Sequence, residues 1–349
     1  MKFLIAGLGS IGRRYFRNLI ALGEKDIVLL RTRKATLPDD ELVGYPVETD
    51  LGEALQKHQP DAVIVANPTS MHLDVAIPAA QAGRAILLEK PVSHSLDRLD
   101  VLQNVAHKSG SKILVGFQFR YHPTLNKARE LIQSNVLGKI LTVHAHWGEY
   151  LPQWHPWEDY RQSYAARADL GGGVIVTLTH PLDYLRYLLG DLESLWSFNG
   201  HISPLDMNVE DVAEIGLKFS NGAVGGVHVN YFQRPPVHRL EIVGTNGTLH
   251  WDNADGILHF HRAPSTFGSF SDNPPAPVIE SFSPPEGFER NQLFLAQTRH
   301  FIEVVRGEKE PICSLDDGVQ ALRIALAAHQ SASLGKVVSM VDFYGSHRI

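Results

Sequence analysis

The stretch AILLEKPVSHS, residues 85–95, sets Glu89 and Lys90 at the end of an apolar run that Pro91 terminates. Proline cannot donate to a sheet ladder, so pairing should stop at Lys90. A charged pair at the mouth of a buried strand is either a solvated edge or a catalytic group on a rigid support. Burial lowers a lysine's pKa, which would let it share in proton transfer as well as orient an oxygen. A second candidate stands in GGGVIVTLTHPLDYLRYLLG, where His180 opens a helical pattern; a structural or surface role is the alternative for any one of 18 histidines. Near a helix N-terminus an imidazole tends to stay neutral, the state a general base needs.

A third pattern is IAGLGSIG, in which Gly7, Gly9 and Gly12 have the G-x-G-x-x-G spacing. Directly after a strand and opening a helix, Gly7 permits the turn. Gly9, with Ser10 and Ile11, brings backbone amides to a diphosphate, and Gly12 lets helix and strand pack closely. The bland alternative is a tight turn alone. About 20 residues further on, where an acid would bind an adenosine ribose, the chain reads LLRTRK. Arg31, Thr32 and Arg33, with Lys34 beside them, suit a 2′-phosphate, so NADP(H) is expected in preference to NAD(H); an ordinary basic loop is the alternative.

These groups need a scaffold. KFLIAG, DIVLL, DAVIVAN, AILLEK and KILVGF read as strands alternating with amphipathic helices, the signature of right-handed crossovers and a parallel sheet. After about Phe119 the pattern changes to a long helical segment and then to strands and turns, with Asn246-Gly247 as a hairpin signal. Residues 263–286 read as a long surface loop, and two helical segments follow, about 291–306 and 315–333. The expected architecture is α/β: a Rossmann domain over residues 1–120, then a substrate-binding and oligomerisation domain over residues 121–349 with a large, mostly antiparallel open sheet.

The net charge of -6 offers no basic field for nucleic acid or an anionic membrane, so a small-molecule ligand is expected. Met1 leads straight into a strand, with no signal-type apolar region and no apolar run of about 20 residues, which points to a cytoplasmic protein. A single cysteine, Cys313, excludes an internal disulfide and reads as a small residue near a loop.

The ordered set GLGSIG, ANPTSMH, LLEKPVSHS and GGGVIVTLTHPLDYLRYLLG resembles the family of glucose-fructose oxidoreductase and inositol dehydrogenase, often called Gfo/Idh/MocA. The resemblance spans essentially the whole chain. It implies that Lys90 contacts the nicotinamide ribose and the reacting hydroxyl, and that Glu89, Asn67 and Pro68 line the cofactor cleft. It also implies that His180 faces the substrate, with Gln118 and Arg120 nearby, although Arg120 reads almost as well as an interdomain salt bridge. Relatives often carry an aspartate just before this histidine; here Thr177 takes its place. Asp183, at i+3 from His180, could substitute, or could be a helix N-terminal acid.

Between these motifs, residues 144–167 hold Trp147, Trp154, Trp157, Tyr160 and Tyr164 with Arg161 and Arg167. Such a cluster suits a sugar face and a charged appendage, or core and interface packing. His144 and His146 lie at strand spacing without a carboxylate-rich partner motif, so no metal site is expected. The reading is an NAD(P)-dependent dehydrogenase or reductase for a secondary alcohol or ketone of a sugar, cyclitol, amino sugar or sugar nucleotide, assembled as a homodimer or homotetramer. Two alternatives stand beside it: an enzyme that reuses a tightly held cofactor for net transfer, elimination or hydrolysis, and a noncatalytic dinucleotide sensor.

Overall fold

The computed structural model describes residues 1–31, 37–263 and 278–346. Its first half alternates strands β1 (Lys2–Ala6), β2 (Asp26–Leu30), β3 (Val47–Glu48), β4 (Ala62–Val65), β5 (Ala85–Leu88) and β6 (Ile113–Val115) with helices α1 (Ser10–Ala21), α2 (Leu51–His58), α3 (His72–Gln81) and α4 (Leu99–Ser109). The six strands form one sheet in the order β3-β2-β1-β4-β5-β6, every pairing parallel. Both faces are covered by helices, so the strands read as continuous apolar runs, and β1, β4 and β5 are buried almost throughout. The two-residue β3 carried no legible strand signal.

A 3-10 turn, Gln118–Tyr121, leads into α5 (Pro123–Gln133), β7 (Ile140–Tyr150), α6 (Val174–Thr177) and α7 (His180–Leu189). Then follow β8 (Leu192–Gly200), β9 (Val212–Phe219), β10 (Val224–Asn230), β11 (Phe232–Gly244), β12 (Gly247–Asp252), β13 (Leu258–Arg262) and β14 (Val278–Phe282). The chain closes with α8 (Arg290–Val305), α9 (Leu315–Leu334), β15 (Val338–Ser339) and α10 (Met340–Ser346). The second sheet has nine strands in the order β14-β13-β12-β11-β7-β10-β9-β8-β15. Only β7 and β10 pair in parallel; the other pairings are antiparallel.

Two expectations shift. The β11–β12 turn is Thr245-Asn246, and Gly247 already pairs with Gly244, because the amides of Thr245 and Asn246 are held by the carbonyls of Lys139 and Leu137. Val278–Phe282 lies inside the stretch read as loop, yet it pairs with β13. Helix α8 packs Phe294, Phe301 and Ile302 into the core of the parallel sheet, where Phe301 meets Phe3 at 6.4 Å between ring centroids. Helix α9 straddles both cores, with Val319 and Leu322 in one and Ala325 and Ala328 in the other. The chain's last third therefore fastens the two sheets together.

Candidate active site

The glycine turn fits a dinucleotide. Gly7 has φ +93°, and a Cβ on Gly12 would come within 1.9 Å of the Gly7 carbonyl oxygen. A Cβ on Gly9 would meet nothing within 4 Å, and no side chain caps the N-terminus of α1 at Gly9. The turn is thus closed on the protein side and open on the other, where the first amides of α1, from Ser10 and Ile11, face outward for a diphosphate. These residues with Asn67 and Pro68 would hold a nicotinamide dinucleotide. Asn67 is fixed from behind: its amide donates to the Met71 carbonyl at 3.0 Å, and its own carbonyl lies 3.0 Å from Nε2 of His72. Nδ1 of His72 lies 2.8 Å from the Pro91 carbonyl, so one buried imidazole joins the two loops that flank the cleft.

At the end of β5, Glu89 turns inward. Its carboxylate accepts from the Tyr15 hydroxyl and from the Lys90 amide, and it is 7% exposed. Burial raises its pKa against the opposing effect of Tyr15 and Lys90. Glu89 therefore braces the cofactor loop from within rather than lining its surface. Lys90 reaches the other way, donating from Nζ to the Thr177 carbonyl at 2.8 Å. Burial lowers the Lys90 pKa, with Glu89 acting in opposition.

Helix α7 begins at His180, whose ring is 2% exposed and walled by Phe117 and Phe119 edge-on at 5.5 and 5.0 Å. It stacks on Trp147 at 5.4 Å, and the same indole stacks on His238 at 4.3 Å. Nδ1 of His180 is buried without a hydrogen-bond partner. Burial, then the Lys90 charge, then His238 and Arg290, hold the imidazole well below its ordinary pKa, so it is neutral at pH 7. Lys90 and His180 are joined through one short segment, since Thr177 ends α6 and His180 starts α7.

Several expected residues have other work. Arg120 and Asp183 form a buried ion pair, Nη2 to Oδ1 at 2.7 Å with both side chains 2% exposed. Arg120 also donates to the Ile312 carbonyl at 2.8 Å and to Asp317 at 3.2 Å. Neither is available to a substrate or to the His180 imidazole; Arg120 is the salt bridge that ties the Gln118–Tyr121 turn to α7 and α9, and Gln118 beside it is buried. Helix α7 is buried nearly all round, Asp183 and Tyr184 included, so these two occupy no solvent face. The glycine run is a packing turn: Cβ atoms on Gly171, Gly172 and Gly173 would meet His94, the Tyr164 carbonyl and the Glu210 carboxylate at 2.7, 2.2 and 2.5 Å.

In the segment after β7, Arg161 pairs with Asp159 at 2.7 Å and Arg167 with Asp169 at 2.6 Å, all on the exterior. Those guanidinium groups are neutralised locally and do not form the expected cluster. The Tyr160 hydroxyl accepts from the Asp206 amide at 2.9 Å, and Trp157 is 61% exposed. Trp154 meets Tyr231 edge-on at 5.6 Å and Tyr164 is packed against the second core. Arg31 continues from β2 and pairs with Asp39 at 2.8 Å, while Thr32 and Arg33 lie outside the described residues. Among the described residues no group of three or more His, Cys, Asp or Glu side chains is placed to hold a metal ion, and no helix is long and apolar enough to cross a membrane.

Sequence reading missed Phe117, Phe119 and His238, which wall and back the His180 ring. No motif marks them; only the long-range packing of β6, β7 and β11 brings them together.

This parallel sheet with its open glycine turn, facing a second sheet domain that presents a buried histidine, defines a two-domain dinucleotide-dependent oxidoreductase. Residues 1–117 match the oxidoreductase family with an NAD-binding Rossmann fold and residues 125–250 match the GFO/IDH/MocA C-terminal domain, and the chain belongs to the Gfo/Idh/MocA family. It is similar to scyllo-inositol 2-dehydrogenase (NAD(+)) of Bacillus subtilis, 28% identical over 97% of this chain and 96% of that protein. It is also similar to D-xylose 1-dehydrogenase (NADP(+)) 2 of Haloferax volcanii, 24% identical over 97% of this chain and 100% of that one. A levoglucosan dehydrogenase solved with NADH and levoglucosan shares the fold at a TM-score of 0.84 and 19% identity, covering 97% of this chain and 99% of the other.

Proposed function

We propose that this protein is an NAD(P)-dependent dehydrogenase that interconverts a secondary alcohol and a ketone on a sugar, cyclitol, amino sugar or sugar nucleotide. The observation that carries this reading is the hydrogen bond from Lys90 to Thr177, which sets the lysine beside the segment leading to His180 at the carboxyl ends of the parallel strands. Ligands of such sheets bind at that end. Bound there, the nicotinamide supplies a hydride acceptor at C4 for the carbinol hydrogen. Lys90 holds the hydroxyl oxygen and offsets negative charge as it develops; neutral His180 accepts the hydroxyl proton, leaving a carbonyl. The aromatic wall of Phe117, Phe119 and Trp147 excludes water from the proton acceptor.

NADP(H) is the proposed cofactor, with NAD(H) accepted less well. Arg31 at the end of β2 supports this, because its Asp39 partner is a carboxylate that a 2′-phosphate can replace. A homodimer or homotetramer is proposed to cover the face of the second sheet that carries His144, His146, His228 and His250 along a shallow hollow of about 500 Å³.

The test is a panel of cyclitols, aldoses and sugar nucleotides offered with NADP⁺ and with NAD⁺, read at the absorbance of the reduced nicotinamide. Turnover that falls at least about a hundredfold in His180→Ala supports the reading. Binding of the cofactor with no turnover across the panel overturns it in favour of a sensor.

A further inference from the structure

Among the described residues most arginines are matched to carboxylates, as Arg13, Arg17, Arg31, Arg98, Arg120 and Arg161 illustrate. Arg14 and Arg290 are not. Arg14 lies one turn into α1, just past the glycine turn, and its guanidinium carbon sits 4.4 Å from the centre of the Phe294 ring. Arg290 is the first residue of α8, one turn before Phe294 on the same face, and its side chain is exposed. The two helices are locked together beside this pair: Asn291 donates to Asn18 at 3.1 Å, and Tyr15 lies 3.3 Å from Gln297. Arg14 thus covers the Phe294 ring while Arg290 stands one turn before that ring on the same helix, close enough for its charge to add to burial in lowering the Arg14 pKa, against which the buried Glu89 carboxylate acts.

They stand at the candidate active site. Tyr15, next to Arg14, bonds the Glu89 carboxylate that precedes Lys90. The charge of Arg290 reaches Lys90, His180 and His155, and with burial it helps to lower the pKa of each. His155 lies on the segment after β7, and its Nδ1 is buried without a partner, as is Nε1 of the adjacent Trp154 and Nδ1 of His180. The unpartnered rings of His155 and His180 are therefore within reach of the Arg290 charge, and neither Arg14 nor Arg290 has a carboxylate within salt-bridge distance among the described residues. Repulsion between fixed like charges is relieved by an anion, and paired guanidinium forks suit the planar or tetrahedral oxygens of a carboxylate or a phosphate.

We propose that Arg14, over the Phe294 ring, and Arg290, one turn before it on α8, form an anion clamp that seats a carboxylate or phosphate carried by the carbohydrate substrate. This rests on the dehydrogenase reading and narrows it to acidic carbohydrates. It also relocates the charged-group contact from Arg161 and Arg167, which are spent on Asp159 and Asp169, to two residues of the helices that meet above the parallel sheet.

The competing source of the same oxyanion is the cofactor's own diphosphate, so the experiment separates the two. NADH affinity is measured by nicotinamide fluorescence for the wild type, Arg290→Ala and Arg14→Gln; D-glucuronate, D-glucose 6-phosphate and D-glucose are then titrated calorimetrically into each NADH-saturated protein. The clamp requires at least one acidic sugar to bind the wild type about tenfold or more tighter than D-glucose. That preference should collapse in both variants while NADH affinity stays within about twofold, which also shows that the variants are folded. No preference in the wild type overturns the proposal, and so does a loss of NADH affinity in the variants as large as the loss for the acidic sugar. Failure of the wild type to bind NADH and NADPH alike would instead remove the dehydrogenase reading beneath it; where only NADPH binds, the same titrations are run on the NADPH-saturated proteins.

Discussion

Lys90 Nζ donates to the main-chain carbonyl of Thr177 at 2.8 Å, across 87 residues of sequence and from one sheet domain to the other. The lysine is thereby aimed by backbone, which no side-chain substitution at residue 177 removes directly. Its own substitution acts on two partners at once. Lys90→Ala should lower kcat/KM by about a hundredfold or more and raise KM. Lys90→Arg should not restore activity, because a planar fork cannot replace a compact ammonium aimed at one carbonyl. Steady-state kinetics with the best substrate of the panel checks this, and wild-type kcat/KM in Lys90→Arg would place the oxygen contact elsewhere.

The missing carboxylate near His180 has a pH signature. With the imidazole held below its ordinary pKa of 6.5 by burial and by Lys90, alcohol oxidation should persist below pH 6.5 before His180 protonates and the rate falls. An anion nearby favours imidazolium. Thr177→Asp should therefore move that acid limb upward, and a pH profile of kcat/KM that does not move means that the residue-177 side chain is electrically remote from the ring.

The Arg120–Asp183 pair should govern folding rather than chemistry. Asp183→Asn leaves the Arg120 guanidinium buried and short of its main counter-ion, and breaking a buried pair from one side costs about 3–5 kcal/mol. Urea denaturation should show that loss, while His180-dependent turnover per folded molecule stays near the wild-type value. A turnover loss without a stability loss would return Asp183 to the reaction.

Four buried imidazoles make the fold acid-sensitive. His72 and His122 are lowered to about 4 by burial, and His180 and His238 are lowered well below 6.5 for the same first reason. Above pH 6.5 neither the folded nor the unfolded chain protonates these rings, so they impose no penalty. As pH falls from 6.5 toward 4 the unfolded state takes up protons that the folded state refuses, and stability drops by up to about 1.4 kcal/mol per pH unit for each ring. Unfolding free energies measured between pH 7 and 5 should decline with a slope of more than one proton, and His122→Asn should make that slope shallower.

Replacing Arg31 and Arg33 together by alanine should weaken NADPH binding more than about tenfold and change NADH binding little, since each lost charge-assisted contact to a phosphate is worth about 1.5–3 kcal/mol. Fluorescence titration with both cofactors measures it. Equal weakening would mean that these arginines hold something the two cofactors share.

Part of this molecule is written in short stretches of sequence. The alternation of apolar strands with helices determines the parallel sheet, because period and length alone distinguish buried strands from amphipathic helices. The G-x-G-x-x-G turn is equally local: Gly7 needs its positive φ, and Gly12 has no room for a Cβ. Lys90 could be singled out because proline ends a strand wherever it falls. Tertiary structure decided the rest. Arg120, Asp183, Arg161 and Arg167 are ordinary charged residues in sequence, and only their partners show whether each charge is spent inside the protein or left for a ligand. Likewise Arg14 and Arg290 stand 276 positions apart by their numbers in the chain and acquire meaning only where α1 meets α8 at Phe294. His180 carries the same lesson: its spacing gave a helix start, but its low basicity comes from Trp147, Phe119, His238 and Lys90, which other strands and the other domain deliver. Local sequence sets backbone preference, whereas desolvation and charge depend on everything within several ångströms, and that neighbourhood exists only once the chain has folded.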